Sequence, residues 1–181
     1  MTLLEHHELA GFGGMGEGIA MQKTDDGRRI LWMAHESAPK DFTAVDVTDP
    51  KNPKLIIQTE LPDMQLRANS LDVVGNKLVV AQQGKRVGMK GVGFHLFDIT
   101  IPEQPKLITH FDCSGPHSRG VHAVWFVDDN FVHMSSGAAD FEPKNPLDDQ
   151  FYRIIDVSNP LKPFEAGRWW YPGTRSWRSR A

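Results

Sequence analysis

The residue types best suited to chemistry lie close together in one short segment, residues 114–122, which contains His117, Arg119 and His122. His122 stands at the start of an apolar run, so its side chain is expected where a strand begins. Imidazole and carboxylate groups are suitable ligands for Zn, Cu or Mn. His122, and less directly His117, are therefore candidate ligands of a divalent metal ion.

Two other polar residues, Asn69 and Glu17, stand before apolar runs in the same way as His122. If the three runs lie side by side around a channel, the three side chains would form a ring at its mouth. Such a ring could hold a metal ion, a water molecule or a small polar ligand. It could equally do no more than satisfy strand ends and buried water, and the sequence leaves both interpretations open.

Two further motifs lack the surroundings that their chemistry needs. Residues 11–16 match the G-x-G-x-x-G pattern of dinucleotide-binding proteins, but an extended segment follows where that pattern requires a helix. Cys113 has His110 and His117 nearby in sequence, yet nucleophilic catalysis requires contact in space. We interpret the glycine-rich segment as a flexible entry loop and Cys113 as a strand-end core residue.

The composition argues against several classes of function. The 181 residues carry a net charge of −3 without a basic cluster, whereas nucleic-acid binding requires clustered Lys and Arg. No apolar stretch reaches the length of about 18 residues that a membrane span needs. The N-terminus lacks the basic and apolar regions of a secretory signal, and a single cysteine fits a reducing compartment. The sequence therefore predicts a cytoplasmic protein.

One phrase of eight residues occurs three times in the chain, at residues 46–53, 98–105 and 156–163. Each copy begins with Asp, a β-branched residue and then Thr or Ser, and each contains two prolines three residues apart. The copies begin 52 and then 58 residues apart, and a period of this size is typical of repeat architectures. The phrase thus predicts repetition of one structural unit.

Each copy of the phrase ends one strand-like run and precedes another, because proline cannot continue a β-ladder. A hairpin lies upstream of each copy, with Asp, Gly or Asn in the turn between two apolar runs. Each unit is therefore predicted to have four antiparallel strands, about twelve in all, with no room for a long helix. The predicted organisation is a lead-in over residues 1–14, three units over 15–173 (about 15–62, 67–113 and 120–172) and a disordered basic tail over 174–181.

The phrase at residues 156–163, Asp-Val-Ser-Asn-Pro-Leu-Lys-Pro, closes a third strand and precedes a fourth. In this it resembles the repeat of the LVIVD family of β-propellers. The resemblance covers nearly the whole chain and implies an all-β fold, a partial β-propeller of three four-stranded antiparallel blades. That family includes cell-surface and binding proteins, so the resemblance also admits an extracellular location.

Propellers close with roughly four to eight blades, whereas three are predicted here. We therefore expect the chain to be a fragment, or a truncated product, of a longer propeller. The alternative is that two copies associate edge to edge and complete one ring between them.

The length differences between the units are predicted to fall in one set of connections. When Leu31, Leu78 and Phe131 are aligned, the extra residues lie between the second and third strands of each unit. Insertions in repeat proteins tend to map to one face, often the binding face. The connections concerned are residues 36–41, 84–92 and 137–149.

Two hypotheses about function follow. The first is a binding module that presents the loop-rich face to a protein or a small polar ligand, with no cofactor assigned. The second is a metal-assisted hydrolase, lyase or oxidase around His122, whose placement resembles the channel-facing histidines of selenium-binding-protein type oxidases and streptogramin-type lyases. The candidate site residues are Glu17, Arg67, Asn69, His117, Arg119 and His122.

Overall fold

In the computed structural model, which describes residues 2–12 and 14–176, the chain forms three antiparallel β-sheets in sequence order. The described residues form 13 strands, and their helical structure is confined to two short 3-10 turns at Leu9–Gly11 and Pro146–Asp148. The prediction of an all-β fold with three antiparallel sheets is confirmed. No helix in this described part is long and apolar enough to cross a membrane.

The first sheet is a simple meander in which each strand pairs with the next. Its strands are β1 (Ile19–Lys23), β2 (Arg29–Ala34), β3 (Lys40–Asp46) and β4 (Lys54–Glu60). Exposed and buried residues alternate along β1, as expected when one face of a strand is packed. β3 is buried almost throughout because it lies inside the sheet and both of its faces are covered.

The second sheet repeats the meander and adds one very short strand. Its strands are β5 (Leu66–Arg67), β6 (Leu71–Val74), β7 (Lys77–Gly84), β8 (Gly93–Asp98) and β9 (Lys106–Asp112). β5 pairs with the far end of β7, where Arg67 lies opposite Gln83. Two residues are too few to show a periodic pattern, so the sequence did not predict β5.

The third sheet contains β10 (Val121–Val127), β11 (Phe131–Ser136), β12 (Phe151–Asp156) and β13 (Phe164–Trp169). In the pairing of β10 with β11 the register shifts between Val121 and Ala123, so His122 has no residue opposite it. A bulge of this kind turns a side chain away from the regular direction of its strand. The side chain of His122 therefore points in a different direction from those of its neighbours on β10.

The repeated phrase forms the same turn in each sheet. Its Asp carboxylate accepts a hydrogen bond from the backbone N–H two residues on, as in Asp98 to Thr100 at 2.8 Å and Asp156 to Ser158 at 2.9 Å. Hydrogen bonds from the hydroxyl and the N–H of that residue lower the pKa of both carboxyls. The phrase is thus a structural turn with local side-chain bonds.

Apolar side chains fill the two spaces between the sheets. Trp32 and Phe42 of the first sheet are buried in a cluster with Leu78 and Val80 of the second. A matching cluster joins the second and third sheets and includes buried apolar residues from both, among them Val79, Phe94, Leu96, Phe126, Val132 and Ile155. Because β7 contributes alternate residues to the two clusters, the second sheet is packed on both faces.

The first full strand of each sheet lies beside its equivalent in the next, with β6 between β1 and β10. Two side chains, one just before β6 and one on it, also accept hydrogen bonds from the free edge of β10. Ser70 Oγ accepts from Val124 N at 3.2 Å, and Asp72 Oδ2 accepts from Phe126 N at 2.9 Å. The neighbouring sheet thus satisfies edge amides that no strand pairs with.

The structure corrects the predicted alignment of the third unit by one residue. Opposite the Asp of the phrase lie Ile30, Lys77 and Phe131, so the residue equivalent to Leu31 and Leu78 is Val132. The cause is where each strand begins, because Phe131 is the first residue of β11, whereas Leu78 is the second of β7 and Leu31 the third of β2. Since strand side chains alternate with a period of two, Phe131 faces the opposite side from the predicted one.

The outer face of the first sheet is partly covered by the N-terminal residues. Leu9 is buried there against Met33 and Val45. A cavity of about 650 Å³ lies beside this contact, lined by apolar residues of β2 and β3 and by polar residues 5–8. The lead-in therefore packs on a sheet face and is not a separate element.

Candidate functional site

Glu17, Asn69 and His122, one from the start of each sheet, meet at one place. The side-chain amide of Asn69 lies 3.2 Å from His122 Nδ1, 3.1 Å from its backbone oxygen and 3.5 Å from Glu17 Oε2. His122 Nε2 is 3.8 Å from Glu17 Oε2. The structure thus brings together the three residues that were predicted to form a ring. We call these three residues with Gln83 the central polar group.

Backbone contacts between the sheets set the position of this group. Glu17 N donates to Asn69 O at 3.0 Å, so the first two members are joined through the main chain. Gly120 forms an isolated bridge with Gln83 two residues before His122. A Cβ atom on Gly120 would lie 2.5 Å from Gln82 O, so only glycine allows this approach.

Gln83 belongs to the group and was not predicted. Its Oε1 accepts a hydrogen bond from Arg67 Nε at 2.9 Å and lies 3.4 Å from His122 Nδ1. Nδ1 therefore faces the Asn69 amide donor and the Gln83 oxygen, and the shorter contact favours the tautomer in which Nδ1 accepts. A sequence signal existed, because the apolar run of β7 ends in two glutamines, Gln82 and Gln83.

Two buried polar atoms of the group have no hydrogen-bond partner in the described part of the chain. They are Asn69 Oδ1, an acceptor, and Gln83 Nε2, a donor. A buried polar atom without a partner costs about 1–3 kcal/mol. The unpaired donor and the unpaired acceptor therefore lie beside the side chain of Glu17, which is exposed, and that of His122, which is partly exposed.

The predicted arginines hold loops in place at this end of the sheets. Arg67 Nη1 binds Glu36 at 2.9 Å, which links the second sheet to the 36–41 connection. Arg119 makes two hydrogen bonds to the buried carboxylate of Asp149, at 2.6 and 2.8 Å. These bonds to Asp149 raise the pKa of Arg119 above its ordinary value. Arg119 thus anchors the longest connection and is not placed in the central polar group.

His117 lies apart from the central polar group. Its Nε2 is 4.0 Å from a Glu142 carboxylate oxygen, beside a cavity of about 220 Å³ lined by Ala139, Asp140 and Phe141. The described residues contain no group of three or more His, Cys, Asp and Glu side chains arranged to hold a metal ion. The two weak metal candidates, His122 and His117, lie within 4.0 Å of the carboxylates of Glu17 and Glu142 respectively.

Asp41, at the end of the 36–41 connection, is a buried acid that sequence reasoning missed. Its Oδ1 accepts a hydrogen bond from Gln82 Nε2 at 2.8 Å. Burial raises the pKa of Asp41 to about 7, and the bond from Gln82 offsets only part of this effect. The folded protein therefore holds the proton of Asp41 more tightly than the unfolded chain does.

We predict that Asp41 lowers stability as pH rises from about 4 to 7, because over this range unfolding releases a proton that the folded state still holds. Asp41→Asn should remove this loss, which amounts to at most about 4 kcal/mol at about 1.4 kcal/mol per pH unit. Urea unfolding of both proteins at pH 4 to 8 measures it.

The matched control is Asp25→Asn, an exposed carboxylate in the turn between β1 and β2. Burial lowers the pKa of His95 to about 4, which acts in the opposite direction, but His95 is present in every variant and cancels in the difference. Parallel pH profiles for the wild type and Asp41→Asn would contradict the prediction.

Comparison with known proteins assigns no family to this chain. No protein-family model matches the sequence, and no curated protein matches it. The resemblance to LVIVD repeats therefore depends on the three phrases and stays a prediction.

Proposed function

We propose that the chain is a binding module of the β-propeller type that takes a small polar ligand at the central polar group. Three observations support the propeller arrangement: the repeated meander, the apolar packing between successive sheets and the adjacency of β1, β6 and β10. The binding role is supported by one observation above all. Each sheet contributes a polar residue to one group, in which the side chain of Glu17 is exposed and that of His122 is partly exposed.

The solvent-accessible side chains of the group indicate what kind of ligand would fit. The Glu17 carboxylate can accept hydrogen bonds, whereas His122 Nε2, in the tautomer in which Nδ1 accepts, can donate one. A ligand with a donor beside an acceptor would bond to both side chains, next to the buried unpaired atoms of Asn69 and Gln83. Free amino acids have this combination, with an ammonium group as donor and a carboxylate as acceptor.

The metal-assisted enzyme is the second hypothesis and has less support. Among residues 2–12 and 14–176, the carboxylate in contact with His122 is that of Glu17, at 3.8 Å. A catalytic zinc site normally uses three protein ligands. Binding of a polar ligand needs no further residue, so we favour the binding module.

We expect a panel of free amino acids, added at millimolar concentration, to shift the side-chain amide signals of Asn69 and Gln83 in ¹H–¹⁵N spectra. Glu17→Gln should weaken the binding of any amino acid that shifts them by about tenfold or more, because it removes a charged acceptor. Titration of both proteins with the same amino acid gives the ratio of the dissociation constants.

Glu60→Gln is the matched control, since the Glu60 side chain is 68% exposed and that of Glu17 is 64% exposed. It lies on β4, away from the central polar group, and should leave affinity unchanged. The proposal fails if no amino acid in the panel moves the Asn69 and Gln83 signals, or if both variants bind equally.

A further inference from the structure

Aromatic residues are exposed across the outer face of the third sheet. Trp125 is 66% exposed, Tyr152 is 41% exposed and Trp169 is 59% exposed. Together with His133 they come one from each of the four strands β10 to β13. We call these four residues the aromatic face.

The four residues form a continuous row. The ring centroids of Trp125 and His133 are 6.0 Å apart, and those of His133 and Tyr152 are 5.8 Å apart. Tyr152 and His133 are also hydrogen bonded, and Trp169 lies directly opposite Tyr152 in the next strand. Since neighbouring strands lie about 4.8 Å apart, the row crosses about 14 Å of the sheet.

The corresponding faces of the other two sheets are apolar and buried. In the third sheet His133 lies opposite Ile154. The equivalent cross-strand pair is Trp32 and Ala44 in the first sheet, and Val79 and Leu96 in the second.

The pair at the position of Ser135 and Tyr152 is Ala34 and Phe42 in the first sheet, and Ala81 and Phe94 in the second. The residues at all these positions in the first two sheets are fully buried. The third sheet therefore replaces apolar stacking positions by His, Ser and Tyr.

This replacement decides between two kinds of occupant. Another sheet packed on the aromatic face would remove the Tyr152 hydroxyl, the His133 ring and the Ser135 hydroxyl from water, at a cost for every atom left unpaired. A ligand that has both apolar surfaces and hydroxyl groups would stack on the rings and bond to the polar atoms. A sugar chain has both.

A cavity at the edge of the aromatic face adds hydrogen-bonding groups. It has a volume of about 360 Å³ and is lined by Tyr152 and Trp169 together with Ser135, Asp148 and Gln150. Gln150 Oε1 is buried and has no hydrogen-bond partner in the described part of the chain. An acceptor is therefore available next to the aromatic rings, where a sugar hydroxyl could donate to it.

We infer that the aromatic face with this cavity binds a carbohydrate chain. The C–H groups on the faces of the sugar rings stack against Trp125, Tyr152 and Trp169, whose ring faces are electron-rich. Sugar hydroxyls bond to groups of the cavity. A row of about 14 Å selects a linear oligosaccharide over a single sugar. This site is separate from the central polar group and does not depend on its proposed role.

Cellohexaose is the probe, because its equatorial hydroxyls leave the C–H groups exposed on both faces of each ring. Titration should shift the indole N–H signals of Trp125 and Trp169 in ¹H–¹⁵N spectra, with saturation. Trp125→Ala should weaken binding by about tenfold, as expected for the loss of one stacking contact, and Trp125→Phe should restore part of the affinity.

Leu107→Ala is the matched control, since Leu107 is an exposed apolar residue on β9 of the second sheet, at 55% exposure. It should leave cellohexaose affinity unchanged. The inference is overturned if cellohexaose shifts neither indole signal. A second result would also overturn it. In that result the wild type sediments as an oligomer, whereas Trp125→Ala sediments as a monomer and binds cellohexaose as tightly as the wild type.

Discussion

Replacing Arg153 by methionine is expected to destabilise the protein by about 3–5 kcal/mol, the range for removing one partner of a buried ion pair. Arg153 is 5% exposed and lies on β12 between the second and third sheets. Its Nε donates to Glu165 at 2.6 Å, and its Nη1 donates to Gly137 O at 2.7 Å and to Ser136 Oγ at 3.2 Å. Methionine fills a similar volume and supplies none of these bonds.

The expected loss of stability is large because several buried groups contact the one guanidinium of Arg153. Nη1 is also 3.3 Å from Cys113 Sγ, and the guanidinium lies over the ring of Phe111 at 5.6 Å. Burial raises the pKa of Cys113 to about 11, more than Arg153 lowers it, so the thiol stays neutral. Without Arg153, the Gly137 carbonyl and Glu165 Oε2 lose the donor that the guanidinium supplies to each of them.

Arg168→Met is the matched control, because Arg168 also binds Glu165 but lies nearer the surface, where it also pairs with Asp140. A partly exposed pair of this kind contributes about 1 kcal/mol or less. Urea unfolding at pH 7 of both variants gives the comparison. Equal losses of unfolding free energy in the two variants would show that Arg153 does not stabilise the interface between the second and third sheets.

Gly120→Ala is expected to cost about 2–5 kcal/mol and to disturb the central polar group. Gly120 has φ of +86°, and an added Cβ would lie 2.5 Å from Gln82 O and 2.5 Å from Val92 Cβ. The positive φ costs about 1–2 kcal/mol for alanine, and forcing an atom into packed surroundings costs about 1–3 kcal/mol more.

Gly75→Ala separates the two contributions. Gly75 has φ of +57° in the turn before β7, but an added Cβ would meet nothing within 4 Å. It should therefore show the backbone cost alone, about 1–2 kcal/mol. Urea unfolding measures both variants, and the His122 ring signals in NMR spectra should move in Gly120→Ala only. A loss in Gly120→Ala no larger than in Gly75→Ala would contradict the close packing.

Sequence reasoning predicted the sheets because their signals are local. A proline-containing phrase ends one strand and starts the next, and each turn has its own residues, so the meander follows from short segments. The meeting of Glu17, Asn69 and His122 followed from the same repetition. Equivalent positions of stacked units become neighbours in space, even when 52 or 53 residues separate them in the chain.

What the sequence could not provide depends on side-chain partners and on where each strand begins. The one-residue error at Phe131 arose because Phe131 is the first residue of β11, whereas the residues aligned with it lie further inside β7 and β2. Gln83 was missed because its role exists only where β7 meets the link to the third sheet. The bond from Arg119 to Asp149 was not predicted because Asp149 lies 30 residues away in a connection without a repeat pattern.

The side chains of Ser70 and Asp72 have a consequence for how the chain behaves among other copies of itself. A strand edge with free amides is a template on which another chain can add a strand, and this is a common start of aggregation. On β10 the amides of Val124 and Phe126 are already bound to these two side chains. The innermost edge of the third sheet is thereby protected against strand addition by a serine and an aspartate of its neighbour.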